Sequence, residues 1–255
     1  MEYPKEAINS VKRHRERGDY SLDTIHGIIQ ESQLVHVSFI DPKSPFPVVL
    51  PMIGTMGSFT DQTASLGDPL DLYLHGYVSH RIMNLSRADS SDEGMPVTVA
   101  ASHVDGLVLA LSAFSHSYNY RSATLFGHAT VVEDEAEKLY AMELITNKVV
   151  PGRWDHTRLP LTKTEIKSTG ILRVKVASGS AKIRDAEPKD ERVDMKNEEA
   201  LDSVWTGVVP IWTAVGEPVP SSYNRVVDVP THVTQHVQEL NATNRRRVEK
   251  SHAGK

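Results

Sequence analysis

Polar and aromatic side chains are most concentrated in the stretch AFSHSYNYRSATLFG, residues 113–127. It follows the apolar run GLVLALS (106–112) and continues into the strand-like segment ATLFGHATVV (123–132). Two short strands joined by such a loop would hold hydroxyl, imidazole, phenol and guanidinium groups on a rigid rim, where binding residues concentrate. The alternative is a surface hairpin loop whose serines and asparagine only satisfy turns. The residue types of this stretch alone do not separate the two interpretations.

Short strand-like segments occur along most of the chain and favour an antiparallel β fold. Alternating or β-branched runs stand at residues 34–40, 46–55, 70–76, 96–104, 123–132 and 170–176. The Asp105-Gly106 dipeptide predicts a tight hairpin, with residues 107–112 as its return strand. Helices do not separate the strands regularly, which argues against a doubly wound parallel sheet. We therefore predict a mainly β fold with peripheral α-helices, an antiparallel barrel of six to seven strands.

Helical segments flank these strands, and both ends of the chain are polar. An apolar stripe predicts a helix that begins at residue 21, and residues 135–149 form a second helix. A short helix over residues 79–85 has a serine cap and an arginine in its first turn, so its start is a candidate anion site. We divide the chain into a basic N-terminal arm (1–20), one barrel domain (21–216) and a loosely held polar tail (217–255).

Composition and charge argue against several classes of function. The net charge of -5 gives no sign of nucleic-acid binding. The absence of cysteine excludes disulfides, thiolate nucleophiles and cysteine-bound metal, and the 12 histidines are not spaced as a metal site. No apolar run approaches the ~20 residues of a membrane span, and the first residues carry no apolar signal core. We expect a cytoplasmic protein with no metal, membrane or nucleic-acid partner.

Several segments follow one another in the order of a known family. They are His36–Phe39, Pro47–Pro51, Leu72–Gly76 with Ser79 and Arg81, Asp105–Ala110, Ser112–Phe114, His116–Ser117, Asn119–Ser122, Phe126–Gly127, Pro151–Trp154, Ala181–Arg184 and Trp205–Pro210. Together they resemble the FMN-binding split-barrel proteins related to pyridoxamine 5′-phosphate oxidase. The resemblance is to the flavin-nucleotide-binding branch in particular, which is similar to the nitroimidazole-resistance proteins.

The resemblance implies a split barrel that forms a domain-sharing homodimer, with FMN in a groove between the subunits. The residues that it assigns to the cofactor are Pro51, Met52, Ile53, Leu74, His75, Ser79, His80, Arg81, Tyr120, Arg121, Ser122 and Trp205. The first five would flank the flavin ring and the ribityl chain. The next three would hold the phosphate, with Arg121 and Ser122 beside them on the neighbouring strand, and Trp205 would approach from the other subunit.

The chemistry of FMN agrees with this assignment. A phosphate dianion suits guanidinium groups and helix N–H groups, and a flat ring suits a narrow apolar slot with a few polar contacts. The alternative for Arg81 and Arg121 is a surface ion pair. The flavin itself would transfer the hydride or electrons, while protein groups orient and tune it. His75 and His116 are the candidate catalytic residues, and a loop cap or an exposed imidazole is the alternative for His116.

The sequence departs from the family pattern in two places that bear on the substrate. Relatives often have arginine at the position of Leu111, just before Ser112, so a cation near the flavin is missing. The substrate-phosphate ligands of true pyridoxamine-phosphate oxidases are also not recognisable, so vitamin B6 synthesis is not predicted. Tyr118, Tyr120 and Trp154 either line the substrate side or pack at an interface or in the core.

Three functions follow from the sequence, in order of preference. The first is an FMN-dependent oxidoreductase that acts on a small organic molecule, with NAD(P)H as a candidate reductant. The second is a haem- or flavin-binding module without turnover of its own, in which His75 or His116 could be an axial ligand of the iron. The third is a dimeric scaffold without a cofactor.

Overall fold

A computed structural model describes the backbone of residues 1–252 and the side chains of residues 1–249. The strands are β1 (Gly18–Asp19), β2 (Val35–Phe39), β3 (Val48–Met52), β4 (Gly54–Gly57), β5 (Asp71–Tyr77), β6 (Met95–Leu109), β7 (Ser117–Val131), β8 (Thr169–Arg184) and β9 (Gly207–Pro210). The helices are α1 (Leu22–Glu31), α2 (Arg81–Ala88), α3 (Glu135–Val149), α4 (Lys163–Ser168), α5 (Glu198–Ser203) and α6 (Thr231–His252).

All the strands of the described chain belong to one sheet. Seven of them follow the order β3-β2-β6-β7-β8-β5-β4, while β1 pairs with β8 and β9 pairs with β6. Strand β2 is antiparallel to β3 and β6, and β5 is antiparallel to β4 and β8. The predicted fold class, a mainly antiparallel sheet with flanking helices, is confirmed. Strand β3, which contains Pro51, stands at one end of this order, as expected for a strand with a missing backbone donor.

The chain divides into two compact units. Unit 1 contains Met1–Ser102 and Ser122–Lys182, and unit 2 contains His103–Arg121 and the residues from Ile183 onward. In unit 1, helix α1 buries Ile25 and Ile29 completely, as its apolar stripe predicts. At Gly54 a Cβ atom would lie 2.8 Å from a methyl group of Leu74 and 2.9 Å from one of Val35, so a larger residue would displace these buried side chains.

The predicted hairpin at Asp105-Gly106 is wrong. Strand β6 runs unbroken from Met95 to Leu109, and the chain turns only at residues 110–116. Gly106 is paired with Pro210 of β9, and the carboxylate of Asp105 is buried and bound to Arg121. These two long-range pairings hold the dipeptide in an extended strand, against its local preference for a turn.

The N-terminal segment packs on unit 1 and is not a free arm. Its Asn9 is buried and donates to Ser178 Oγ at 2.8 Å and to the Gly179 carbonyl at 3.0 Å. The phenol of Tyr3 is hydrogen-bonded to His26 Nε2 at 2.7 Å. The basic run of residues 12–17 is mostly exposed, as are most of residues 1–8, so the segment packs on unit 1 through a few side chains while much of its surface faces water.

The C-terminal segment, predicted as a loosely held tail from residue 217, contains helix α6. Asn241 on this helix makes two hydrogen bonds with the backbone of Val215, at 2.7 and 2.8 Å. One turn further on, the guanidinium of Arg245 lies 6.0 Å from the ring centre of Trp212. Residues 231–252 of the predicted tail are therefore helical and make specific contacts with residues 212–215. Sequence reasoning gave too much weight to the charges and too little to these side-chain contacts.

No helix in residues 1–252 combines the length and the apolar character that crossing a membrane requires.

Candidate functional site

The strand edge at residues 51–53 and the middle of β5 lie side by side in unit 1. Ile53 separates β3 from β4, and its carbonyl accepts a hydrogen bond from the His75 amide at 3.1 Å. Met52 and Leu74 are buried in the core, while Pro51 and His75 are exposed. The structure therefore brings together the two segments that the resemblance assigns to the flavin ring, although their role there stays a prediction.

His75 is the titratable side chain at this edge. Its ring is exposed, and within residues 1–249 it has no hydrogen-bond partner. Desolvation by the surrounding protein lowers the pKa of the imidazole below its usual value. Tyr77 stands two positions further along β5, on the same face of the strand, and is also exposed. The ring of His75 is thus kept neutral near pH 7, in the form that accepts a proton or ligates a metal.

The start of α2 carries the residues that the resemblance assigns to the phosphate. His80 is the N-cap residue, and no side chain caps the helix, so the predicted serine cap at Ser79 was wrong. Arg81 opens the helix half-exposed, and its Nη1 lies 3.3 Å from Oδ2 of the buried Asp41. Asp41 orients the Arg81 side chain, and the free first-turn amides of α2 favour anions. Sequence reasoning missed Asp41 because an Asp-Pro dipeptide indicates a turn and does not indicate an ion pair with a residue far along the chain.

Arg121 is held by a buried carboxylate in unit 2. Its Nε donates to Asp105 Oδ2 at 2.8 Å, and Nη2 donates to Oδ1 at 3.0 Å, a bidentate pair. Tyr120 is the adjacent residue in β7 and is half-buried. Asp105 is the second residue that sequence reasoning missed, since it was assigned to a turn. The pair with Asp105 therefore fixes the orientation of the Arg121 guanidinium, independent of any ligand.

Ser122 does not lie beside the start of α2 within one chain. Its Oγ donates to the Lys182 carbonyl of β8 at 3.2 Å, whereas His75 pairs with Ile171 of β8. The eleven positions from 171 to 182 correspond to roughly 36 Å of strand at ~3.3 Å per residue. Strand β8 also stands between β5 and β7 in the sheet. The expectation that Ser122 neighbours Ser79 is therefore not met within a single chain.

A second polar cluster in unit 2 surrounds Asn119, which is fully buried. Its Oδ1 accepts hydrogen bonds from Arg184 and from the amide of Ala186, which fixes the orientation of the amide group. Its Nδ2 has no acceptor among the described residues. Arg184 is also buried and donates to the carbonyls of Ala186 and Glu187 at 3.0 Å each. These hydrogen bonds hold residues 184–187 in place at the end of β8.

The remaining predicted residues of unit 2 are exposed. Trp205 lies over Gly207, where a Cβ atom would come within 2.8 Å of the indole ring, so glycine is required for this contact. His116 is exposed, and its Nδ1 lies 2.9 Å from the Ser112 carbonyl. Next to it, Phe114 is 89% exposed, an unusual position for so apolar a side chain.

The residues of unit 1 fit the two ends of a flavin nucleotide. Arg81, His80 and the first-turn amides of α2 would hold a phosphate, and the edge at residues 51–53 would flank the ring. His75, neutral and without a partner, fits either a flavin contact or an iron ligand. Within residues 1–249, no group of three or more histidines and carboxylates is placed to hold a metal ion directly.

Comparison with known proteins places this chain in a family. The pyridoxamine 5′-phosphate oxidase family matches residues 21–183, and the chain belongs to that family. The resemblance stated from the sequence motifs is therefore confirmed. No curated protein matches the chain.

Three solved structures illustrate the range of relatives. The flavocytochrome Anf3 from Azotobacter vinelandii is 27% identical, covers 92% of this chain and 99% of its own, and has a TM-score of 0.74. The FAD and heme binding protein from Mycobacterium smegmatis is 26% identical, covers 86% and 97%, and has a TM-score of 0.69. A putative 5-nitroimidazole antibiotic resistance protein from Bacteroides thetaiotaomicron is 19% identical over 62% of this chain and 81% of its own, with a TM-score of 0.46.

Proposed function

We propose that this chain binds a flavin nucleotide and a haem and works as an oxidoreductase. The extent of the similarity to Anf3 is the observation that carries the proposal, since it covers 92% of this chain and 99% of that flavocytochrome. The family match ends at residue 183, so this similarity also includes much of unit 2. A second protein, named for FAD and heme, has nearly the same coverage.

The flavin is proposed to lie at the strand edge and helix start of unit 1. This position supplies an exposed histidine, an apolar edge and the Arg81–Asp41 pair, whose arginine is the first residue of α2. FMN is the form that the sequence motifs predict, and FAD is the form named for the mycobacterial relative. Mass spectrometry of the cofactor released by denaturation distinguishes the two.

His75 and His116 are the proposed candidates for the axial ligand of the haem. His75 has a lowered pKa and no hydrogen-bond partner in the described chain. His116 has Nδ1 next to the Ser112 carbonyl at 2.9 Å, which suits the arrangement that directs Nε2 of a ligating histidine towards a metal. We expect His75→Ala or His116→Ala to abolish the Soret band that appears when haem is added to wild-type protein.

A homodimer is proposed because one chain does not complete the predicted flavin site. Ser122 lies far along β8 from the start of α2, so a second copy would have to supply it. Three apolar residues near one end of the sheet order are exposed, namely Ile40, Val49 and Pro51. Light scattering of the purified protein should give twice the chain mass, and Ile40→Glu should lower it to one chain.

Turnover is proposed to transfer electrons between a nicotinamide cofactor and a small organic substrate. Flavins provide hydride and electron transfer, while the protein provides binding and orientation. Anaerobic addition of NADH or NADPH should bleach the flavin absorption of the purified protein. If neither does, the second function, a flavin- or haem-binding module without turnover, takes its place.

The absorption spectrum of the purified full-length protein tests the whole proposal. We expect flavin bands near the visible–ultraviolet boundary and a Soret band after haem addition. Protein that is colourless and binds neither FMN, FAD nor haem would overturn it. In that case the cofactor-free scaffold remains, and Arg81→Ala and Arg121→Ala should change no ligand binding.

A further inference from the structure

Unit 1 contains a cavity of about 390 Å³ between α2, α3, α4 and the adjoining ends of β7 and β8. Its apolar wall includes Val78, Val132 and Ile166, of which Val132 is buried in the core. A volume near the lower end of the ~300–1,000 Å³ range is typical of sites for small molecules. None of the residues assigned to the flavin lines this cavity.

Three cationic side chains line the same cavity, namely Arg87, Lys138 and Lys167. Among residues 1–249, none of the three forms a salt bridge with a carboxylate. Nη1 of Arg87 donates to the Val78 carbonyl at 2.9 Å, which holds the guanidinium against the cavity wall. The lining also contains Glu133 and Glu135, so cations outnumber carboxylates there by three to two, a balance that favours an anion.

Burial in the cavity wall disfavours the charged form of Lys138. Desolvation lowers the pKa of its ammonium, and the nearby charge of Arg87 lowers it further, while Glu133 and Glu135 oppose both effects. Both carboxylates are exposed, and neither is in a salt bridge with Lys138. A bound anion in direct contact with the ammonium would supply the compensation that the two glutamates provide only from a distance.

We propose that this cavity binds a small organic carboxylate with an apolar body. The carboxylate would accept hydrogen bonds from Lys138 and Arg87, and the body would lie against Val132 and Ile166. Glu133 and Glu135, exposed in the same cavity lining, would disfavour ligands with two or more negative charges near them. The site does not depend on flavin or haem, so it can be tested on protein without either cofactor.

Titration of the full-length protein with benzoate and with neutral benzamide tests the proposal. Benzoate should shift the methyl NMR signals of Val132 and Ile166, and benzamide should bind roughly tenfold more weakly, because it lacks the charge-assisted hydrogen bonds. Lys138→Met should weaken benzoate binding about tenfold and leave benzamide binding unchanged. Lys12→Met, which removes an equivalent exposed charge from the N-terminal segment, should change neither.

The proposal fails if benzoate leaves both methyl signals unshifted at millimolar concentration, or if benzoate and benzamide bind equally well to wild-type protein. Equal benzoate affinity of Lys138→Met and wild-type protein also contradicts it. If Lys138→Met does not fold, Arg87→Met replaces it as the variant, with the same expected loss. The relative affinities of wild-type protein for benzoate and benzamide test the proposal without any variant.

Discussion

Two polar regions of this protein differ in how completely their groups are paired. In unit 2, Arg121 makes two hydrogen bonds to the buried Asp105. In unit 1, His75 is exposed and unpaired within the described chain, and Arg81 has a single contact with Asp41, at 3.3 Å. A donor or acceptor that is already hydrogen-bonded within the protein is not available to a ligand. One that is exposed and incompletely paired is available. The first region is therefore expected to govern stability, and the second to govern binding.

The largest effect is expected when the paired region is broken. Asp105→Ala leaves the guanidinium of Arg121 largely buried without its carboxylate, and we expect the free energy of unfolding to fall by about 3 kcal/mol. Urea denaturation measures this loss. Arg158→Met, which breaks an exposed ion pair with Glu165, is the matched control and should cost much less. Equal losses in the two variants would show that the Asp105–Arg121 pair is not structurally important.

A second prediction concerns His26, a histidine that is fully paired, unlike His75. It is buried, with Tyr3 on one ring nitrogen and the Leu66 carbonyl on the other, and desolvation lowers its pKa. Below about pH 6.5 the histidine is protonated more readily in the unfolded chain than in the folded protein. The free energy of unfolding should therefore decrease as the pH is lowered. The slope from this one group cannot exceed about 1.4 kcal/mol per pH unit, the limit for one proton.

The variant His26→Gln tests this pH dependence. It keeps a neutral hydrogen-bonding side chain and removes the titration, so its stability should decline less between pH 7 and 5 than that of the wild type. Urea denaturation at several pH values measures both slopes. Identical slopes would mean that other groups cause the acid sensitivity.

A smaller effect is expected at the incompletely paired Arg81. Arg81→Ala should weaken flavin binding about tenfold, because a charge-assisted contact with the phosphate is lost. Fluorescence quenching of added flavin measures the affinity. Arg15→Ala is the control, since this exposed arginine lies in the N-terminal segment. Unchanged affinity in Arg81→Ala would remove the start of α2 from the proposed site.

The smallest effect on stability is expected at His75. Because its ring has no partner in the described chain, His75→Gln should change the unfolding free energy of the cofactor-free protein by less than about 0.5 kcal/mol. A large loss of stability in denaturant titration would show that His75 is structural, and it would weaken the contrast between the two regions.

Most strands and the first three helices of unit 1 could be predicted because each depends on a local pattern, although β1 was missed and β3 and β4 were predicted as one strand. The stripe of α1 and the alternation in β2 both follow from which side chains face the core. Predictions failed where distant residues decide the local structure. Asp105-Gly106 is extended because Arg121 and β9 hold it, and α6 is fastened to residues 212–215 by Asn241 and Arg245.

The candidate site was predictable only in part. Sequence motifs selected the segments around His75 and Arg81, which the structure places within one unit. They did not indicate Asp41 or Asp105, the two carboxylates that orient the arginines. A motif records which residue types recur, but an ion pair between separate strands depends on how the sheet aligns them.

The sequence by itself determined the antiparallel fold, the family and the segments proposed for the site, since periodicity and ordered motifs are properties of neighbouring residues. Only the tertiary structure decided which of the site's charges are already paired and which are available. That distinction depends on the burial and separation of side chains far apart along the chain. It also separated Ser122 from the start of α2, because register along β8 is fixed by the whole sheet.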